Sequence, residues 1–164
     1  AETAVEDMAE LFRVLMADNR DLVPLSQEVA LCQQYLNIEK LRLDERLQCD
    51  WQHAAILPDV MIPPLILQPL LENAVYHGIE PQSHGGVITI EIDSSGKRLL
   101  LRISNPLPPT PDKSGGNKMA LKNIRERLRL HYDLEAQLVQ YQADQRYVVE
   151  ITLPTRPLSE VMHG

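Results

Sequence analysis

Aromatic side chains are scarce in this chain: one Phe, one Trp and five Tyr among 164 residues. Leu, Ile and Val must therefore supply most of the core volume. There are only two cysteines, Cys32 and Cys49. They lack metal-ligand spacing, and two thiols do not make a disulfide scaffold, so they read as reduced structural thiols. Basic residues are outnumbered, 16 Lys and Arg against 23 Asp and Glu, for a formal net charge of −7. That sign is the opposite of what duplex nucleic-acid binding needs, and no nucleic-acid partner is expected. Long apolar runs are also missing. The longest, from Val60 to Leu67, is far short of the ~20 residues of a membrane helix and is broken by Pro63 and Pro64. The opening AETAVEDMAE is acidic and has none of the basic, then apolar, character of a signal peptide. It also does not begin with Met, so the chain reads as a piece of a longer protein, with a membrane span or second domain expected outside it. No internal repeat or low-complexity tract is present.

What remains is a globular composition, 44% hydrophobic and 24% charged, long enough for one domain. Residues 4 to 17 carry Val5, Met8, Leu11, Phe12 and Leu15 at helical spacing. A second helix is expected from Pro24–Leu25–Ser26, with Ser26 as cap, to about residue 44, its stripe formed by Val29, Cys32, Leu36 and Leu43. Leu47 to Trp51 reads as a short strand. The apolar segment LILQPLLENAVYHG predicts a buried helix that starts near Pro64 and is kinked at Pro69. Val87–Asp93 and Arg98–Ser104 alternate about a Ser94–Lys97 turn, the pattern of a β-hairpin. The Pro- and Gly-rich loop of residues 105–118 leads into a helix with Leu121, Ile124 and Leu128 on one stripe, ending near His131. Strands over Ala136–Gln142 and Arg146–Leu153 follow, and the chain end reads as a frayed tail. Together these elements predict an α+β class: a two-layer α/β sandwich with a mixed, mostly antiparallel sheet and helices on one face.

Three segments carry candidate chemistry. Glu72–Asn73 and His77 are polar residues on an otherwise apolar helix, and Asn73 and His77, four apart, share a face. Carboxylate and carboxamide oxygens suit a hard cation such as Mg²⁺, while the same residues also read as satisfied polar groups of a core. Asn105, at the end of a strand, could meet an exocyclic amine or simply start an Asn–Pro turn. Gly115 to Asn123 runs from a Gly-rich loop into a helix, where free amides and the helix dipole favour an anion, with Lys118 and Lys122 adding positive charge. It is not a Walker loop, because GK[ST] is missing.

The order of these segments resembles the ATP-binding catalytic domain of histidine kinases, the Bergerat fold. PLSQEVALCQQYLNIEKLRLDERL, IPPLILQPLLENAVYHGI and MALKNIRERLRLHY are similar to segments of the LytS-type sensor kinases, over roughly residues 22 to 153. Asn105–Pro106–Leu107–Pro108 further resembles the AlgZ/FimS sensors of pseudomonads. The resemblance implies ATP and Mg²⁺ as ligands. Asn73 and Glu72 are implied at the metal, and Asn73, Tyr76, His77, Asn105, Gly116, Lys118, Met119, Ala120, Leu121 and Lys122 at the nucleotide.

It also implies residues 1–20 as the remnant of a dimerisation helix, 21–156 as the catalytic domain and 157–164 as a flexible tail. The phosphoacceptor His belongs to a PHFLFN-like segment. None of His53, His77, His84, His131 and His163 has that context, so the acceptor is expected upstream and this chain alone is not expected to phosphorylate itself. A response regulator, a homodimer of the full-length protein and a cytoplasmic position on an inner-membrane sensor are implied as well. Four positions depart from the family pattern: Tyr76 for Lys, Asn105 for Asp, and Lys118 and Ala120 for Gly. They motivate the alternative of a degenerate nucleotide-binding domain that works as a protein-interaction module. An ATP hydrolase of the same fold is disfavoured, because Pro69 stands where that class has a Glu.

Overall fold

The computed structural model describes residues 22–108 and 116–155. The expected helix over residues 4–17, the remnant at 1–20, most of the Pro-rich loop and the 157–164 tail lie outside them. The elements are β1 (Val23–Pro24), α1 (Leu25–Leu43), β2 (Leu47–Gln52), β3 (Met61–Ile62), α2 (Leu67–Asn73) continuing as a π-helical turn (Ala74–Ile79), β4 (Gly86–Ser95), β5 (Arg98–Pro106), α3 (Gly116–Tyr132), β6 (Gln137–Ala143) and β7 (Arg146–Pro154).

Five strands form the main sheet in the order β2-β4-β5-β7-β6, with β2 parallel to β4 and every other pair antiparallel. A parallel pair needs a crossover, and the segment carrying α2 supplies it. One face of the sheet is apolar. Ile90 pairs with Ile103 and Ile103 with Val149; Ile92 pairs with Leu101 and Leu101 with Ile151. These residues are buried in one cluster with Leu36 of α1, Leu67 and Leu71 of α2, and Leu121, Ile124 and Leu128 of α3. The other face is polar. In the register Glu91–Arg102–Glu150, Arg102 donates Nε to Glu150 at 2.9 Å and Nη1 to Glu91 at 3.0 Å. The helices therefore cover one face only, as the α+β reading expects.

Local detail departs from sequence expectation at three points. Ser26 does not cap α1: the helix already begins at Leu25, whose N–H donates to Val60 O at 2.9 Å beside the small β1–β3 ladder. The buried helix starts at Leu67 rather than Pro64, because Leu65 turns through the left-handed region at φ 57. Pro69 then falls in the first turn of α2, where its missing N–H has no helical acceptor to lose, so it does not act as a mid-helix kink. The irregularity comes later, at the π-helical turn, where Glu80 N–H reaches Val75 O at 2.9 Å.

Glu28 of α1 is buried, and its Oε2 accepts the Ile66 N–H at 2.9 Å. Burial pushes its pKa up from the ordinary 4.5, against the opposing pull of the Ile66, Leu67 and Leu65 amides and of Arg127. Between the ordinary and the raised value the native state holds more protons than the unfolded chain. The stability from this group is thus fully present below the ordinary value and is lost as pH rises through the native one. Glu28→Gln keeps an acceptor for Ile66 and removes the titration. Thermal melts across pH 4 to 8 are expected to show a shallower fall toward neutral pH in that variant than in the parent.

Candidate functional site

α2 places Asn73 at its last position, with the chain beyond it wound as a π turn, a geometry that recurs at functional sites. Asn73 is half-buried, and its Nδ2 is buried without any hydrogen-bond partner. A satisfied core amide would have both ends paired. The amide is therefore unpaired at its nitrogen, and its carbonyl oxygen is of the kind a hard cation takes. Glu72 lies within electrostatic reach of Glu39 and Tyr35 on α1, and burial raises its pKa, Gln68 lowering it and Glu39 adding to the rise. Glu72 thus borders α1, at the position that precedes Asn73 in α2. Among the described residues no group of three or more His, Cys, Asp or Glu could hold a metal unaided. Mg²⁺ fits such a place because it takes few protein ligands and completes its shell with phosphate and water.

Beyond Asn73, Tyr76 is 62% exposed and stacks edge-on against His77, ring centroids 4.8 Å apart. Gly78 follows, and it decides where the strand end lies. A Cβ built at Gly78 would overlap Asn105 Nδ2 and lie 2.7 and 2.8 Å from Asn105 Cγ and Cβ. Only a glycine allows the π turn to seat directly on Asn105. Asn105 itself is 5% exposed at the end of β5, and its Nδ2 donates to Pro106 O at 2.8 Å. Two of the three sequence segments are thus in contact. Gln82 Nε2, donating to Leu107 O at 2.7 Å, secures the same junction.

The third segment is the start of α3, which packs against α2. Lys118, Met119 and Lys122 are exposed, Met119 by 65%, and Ala120 is half-buried. Leu121 is in the core, so only its backbone is available to a ligand. Gly116 opens the helix; the loop before it is outside the described residues. A separate groove of about 370 Å³ lies between α3 and β6, lined by Arg125, Leu128, Arg129, Leu134 and Leu138, with Lys122 at its edge. Neither Asn73 nor Asn105 lines it.

Sequence reasoning missed three polar residues. Gln68 is buried in α2 beside Glu72, whose carboxyl pKa it pulls down; a Gln inside an apolar run was the available signal. Glu28 and Arg127 meet at the entrance of α2 from positions 38 and 62 residues away, and no local pattern announces that.

A family model described as histidine kinase matches residues 1–47. The sensor protein LytS of Oceanobacillus iheyensis is 29% identical over 99% of this chain and 31% of its own length. The chain is homologous to sensor histidine kinases. It spans about a third of the length of that curated relative. Solved histidine kinases share its fold: the catalytic domain of ThkA superposes with a TM-score of 0.63 at 14% identity, covering 84% of this chain and 99% of that one. Full-length ShkA in complex with AMPPNP gives 0.60 at 18% identity, covering 84% of this chain and 32% of that one. The sheet and helices of this histidine kinase homologue thus share the fold of those solved domains.

Proposed function

We propose that this chain is the ATP-binding catalytic domain of a LytS-type two-component sensor histidine kinase. Its substrate is ATP, its metal is Mg²⁺, and the γ-phosphoryl goes to a histidine upstream of the chain and then to an aspartate of a response regulator. The observation that carries the reading is Asn73: a carboxamide with its nitrogen unpaired, in an apolar helix whose following turn seats on the strand-end Asn105. ATP lies between α2 and the start of α3. Asn105 meets the adenine edge, His77 and Tyr76 lie along the sugar and phosphates, and the first amides of α3 with Lys118 and Lys122 draw the phosphate charge. Asn73 holds Mg²⁺, which when bound offsets the charge of the transferring phosphoryl group. The protein's own share of the step is positioning and electrostatics. The similarity in fold to ShkA, solved in complex with AMPPNP, supports a nucleotide as the ligand.

Residues 1–20 are proposed as part of the dimerisation helices, 21–156 as the catalytic domain and 157–164 as a tail. The domain is proposed to work on the cytoplasmic side of an inner-membrane homodimer. No helix of the described residues is long and apolar enough to cross a membrane. Within the LytS-type group, Asn105–Pro106–Leu107–Pro108 supports closeness to the AlgZ/FimS sensors.

The second reading, a degenerate domain that serves as an interaction module, is favoured by one observation: Asn105 is buried with its amide already bonded to Pro106 O. Asn105→Asp separates the two. In a kinase domain the restored carboxylate strengthens ATP binding and raises the preference for ATP over GTP in a competition titration. An unchanged preference removes Asn105 from the adenine edge. Losing the bond to Pro106 is expected to cost about 1–3 kcal/mol of stability in either case.

A further inference from the structure

The turn Pro64–Leu65–Ile66 that opens α2 holds Leu65 at φ 57, a conformation that a non-glycine residue keeps only when its surroundings impose it. It is gripped from two sides. Glu28 of α1 accepts the Ile66 N–H at 2.9 Å. Arg127 of α3 donates Nη1 to Leu65 O at 2.6 Å and Nη2 to Pro64 O. The carboxylate and the guanidinium also attract one another. One three-residue turn therefore takes an acceptor from α1 and a forked donor from α3. The far end is held as well, just past the π turn, where Arg46 Nη2 donates to Glu80 O at 2.8 Å and to Gln82 O at 3.0 Å.

α2 is seven residues long, about 10 Å, and Asn73 is its last residue. A rod that short carries any shift of its entrance to its end. α3, the helix that supplies Arg127, is also the one whose start bears Lys118. We infer that Glu28 and Arg127 are a positioning pair: by fixing the Pro64–Ile66 turn between α1 and α3, they set the span from Asn73 to the start of α3 that a triphosphate must bridge. The inference rests on the reading of that span as the nucleotide cleft. Neither residue touches the ligand. Their effect passes through the backbone of the turn, where misplacement of about 1 Å is enough to cost affinity and rate.

The test uses the whole 164-residue chain, titrated with Mg–ATP at a temperature where circular dichroism shows each variant folded. Glu28→Gln keeps the acceptor for Ile66 and is expected to bind within twofold of the parent. Glu28→Leu keeps the volume and removes the acceptor; Arg127→Met removes the fork. Each is expected to weaken binding about fivefold, and the double variant no more than about fivefold, since both act on the same turn. Arg127→Lys keeps the charge without the fork and gives a milder variant, expected to bind about threefold more weakly. Lowered melting temperatures with unchanged Mg–ATP affinity across these variants would reduce the pair to structural support and overturn the inference. Failure of the parent chain itself to bind Mg–ATP overturns the nucleotide reading first, and this inference with it.

Discussion

Asn73→Ala lowers the affinity for Mg–ATP at least tenfold, about 1.4 kcal/mol, and leaves the fold as stable as before. The two halves of that expectation come from the same side chain. Asn73 Nδ2 is buried with no acceptor, so truncation removes an unsatisfied donor rather than a hydrogen bond. Ala also favours a helix more than Asn does, by a few tenths of a kcal/mol. The melting temperature is therefore expected to hold or rise slightly while calorimetric titration shows the loss of binding. A structural amide would behave in the opposite way, with stability falling and affinity untouched. Repeating the titration without Mg²⁺ is expected to erase the difference between parent and variant, because the side chain acts on the nucleotide through the ion.

Gly78→Ala acts on stability. In an ordinary helical position the change would help by up to about 1 kcal/mol. Here the new Cβ would overlap Asn105 Nδ2 and stand 2.7 and 2.8 Å from Cγ and Cβ of the same residue. Asn105 is short, buried and tied to Pro106, so it has little room to yield. The clash is expected to outweigh propensity and cost about 2 kcal/mol, in the range of overpacked cores. For a domain of this size that lowers the melting temperature by about 4–8 °C. In an Asn105→Ala background, where the amide is gone and only Cβ remains, the cost is expected to fall by at least half. A double-mutant cycle in thermal melts measures the difference. Nucleotide affinity should fall with Gly78→Ala as well, because the π turn and the strand end can no longer seat together.

Local pattern carried most of the architecture. The Leu121–Ile124–Leu128 stripe is the buried face of α3, and the two hairpins fall within one or two residues of where alternation and turn residues put them. What escaped was long-range or rested on backbone geometry. A two-residue ladder between Val23–Pro24 and Met61–Ile62, and not Ser26, fixes the start of α1. Leu65 at φ 57 moved the start of α2 past Pro64, and so turned Pro69 from an expected kink into a first-turn proline. At the site, the polar residues of the apolar helix were legible as such. Their neighbours were not: that Gly78 seats on Asn105, that Glu72 turns toward α1, and that Glu28 and Arg127 meet at one turn are facts of tertiary packing.

The most direct measurement is a crystal structure of the chain with Mg–AMPPNP. The adenine is expected beside Asn105, the metal on the Asn73 carboxamide oxygen and the phosphates against the first amides of α3. Nucleotide seated in the groove between α3 and β6, or a space between α2 and α3 closed by packed side chains with no nucleotide bound, would contradict the proposed site.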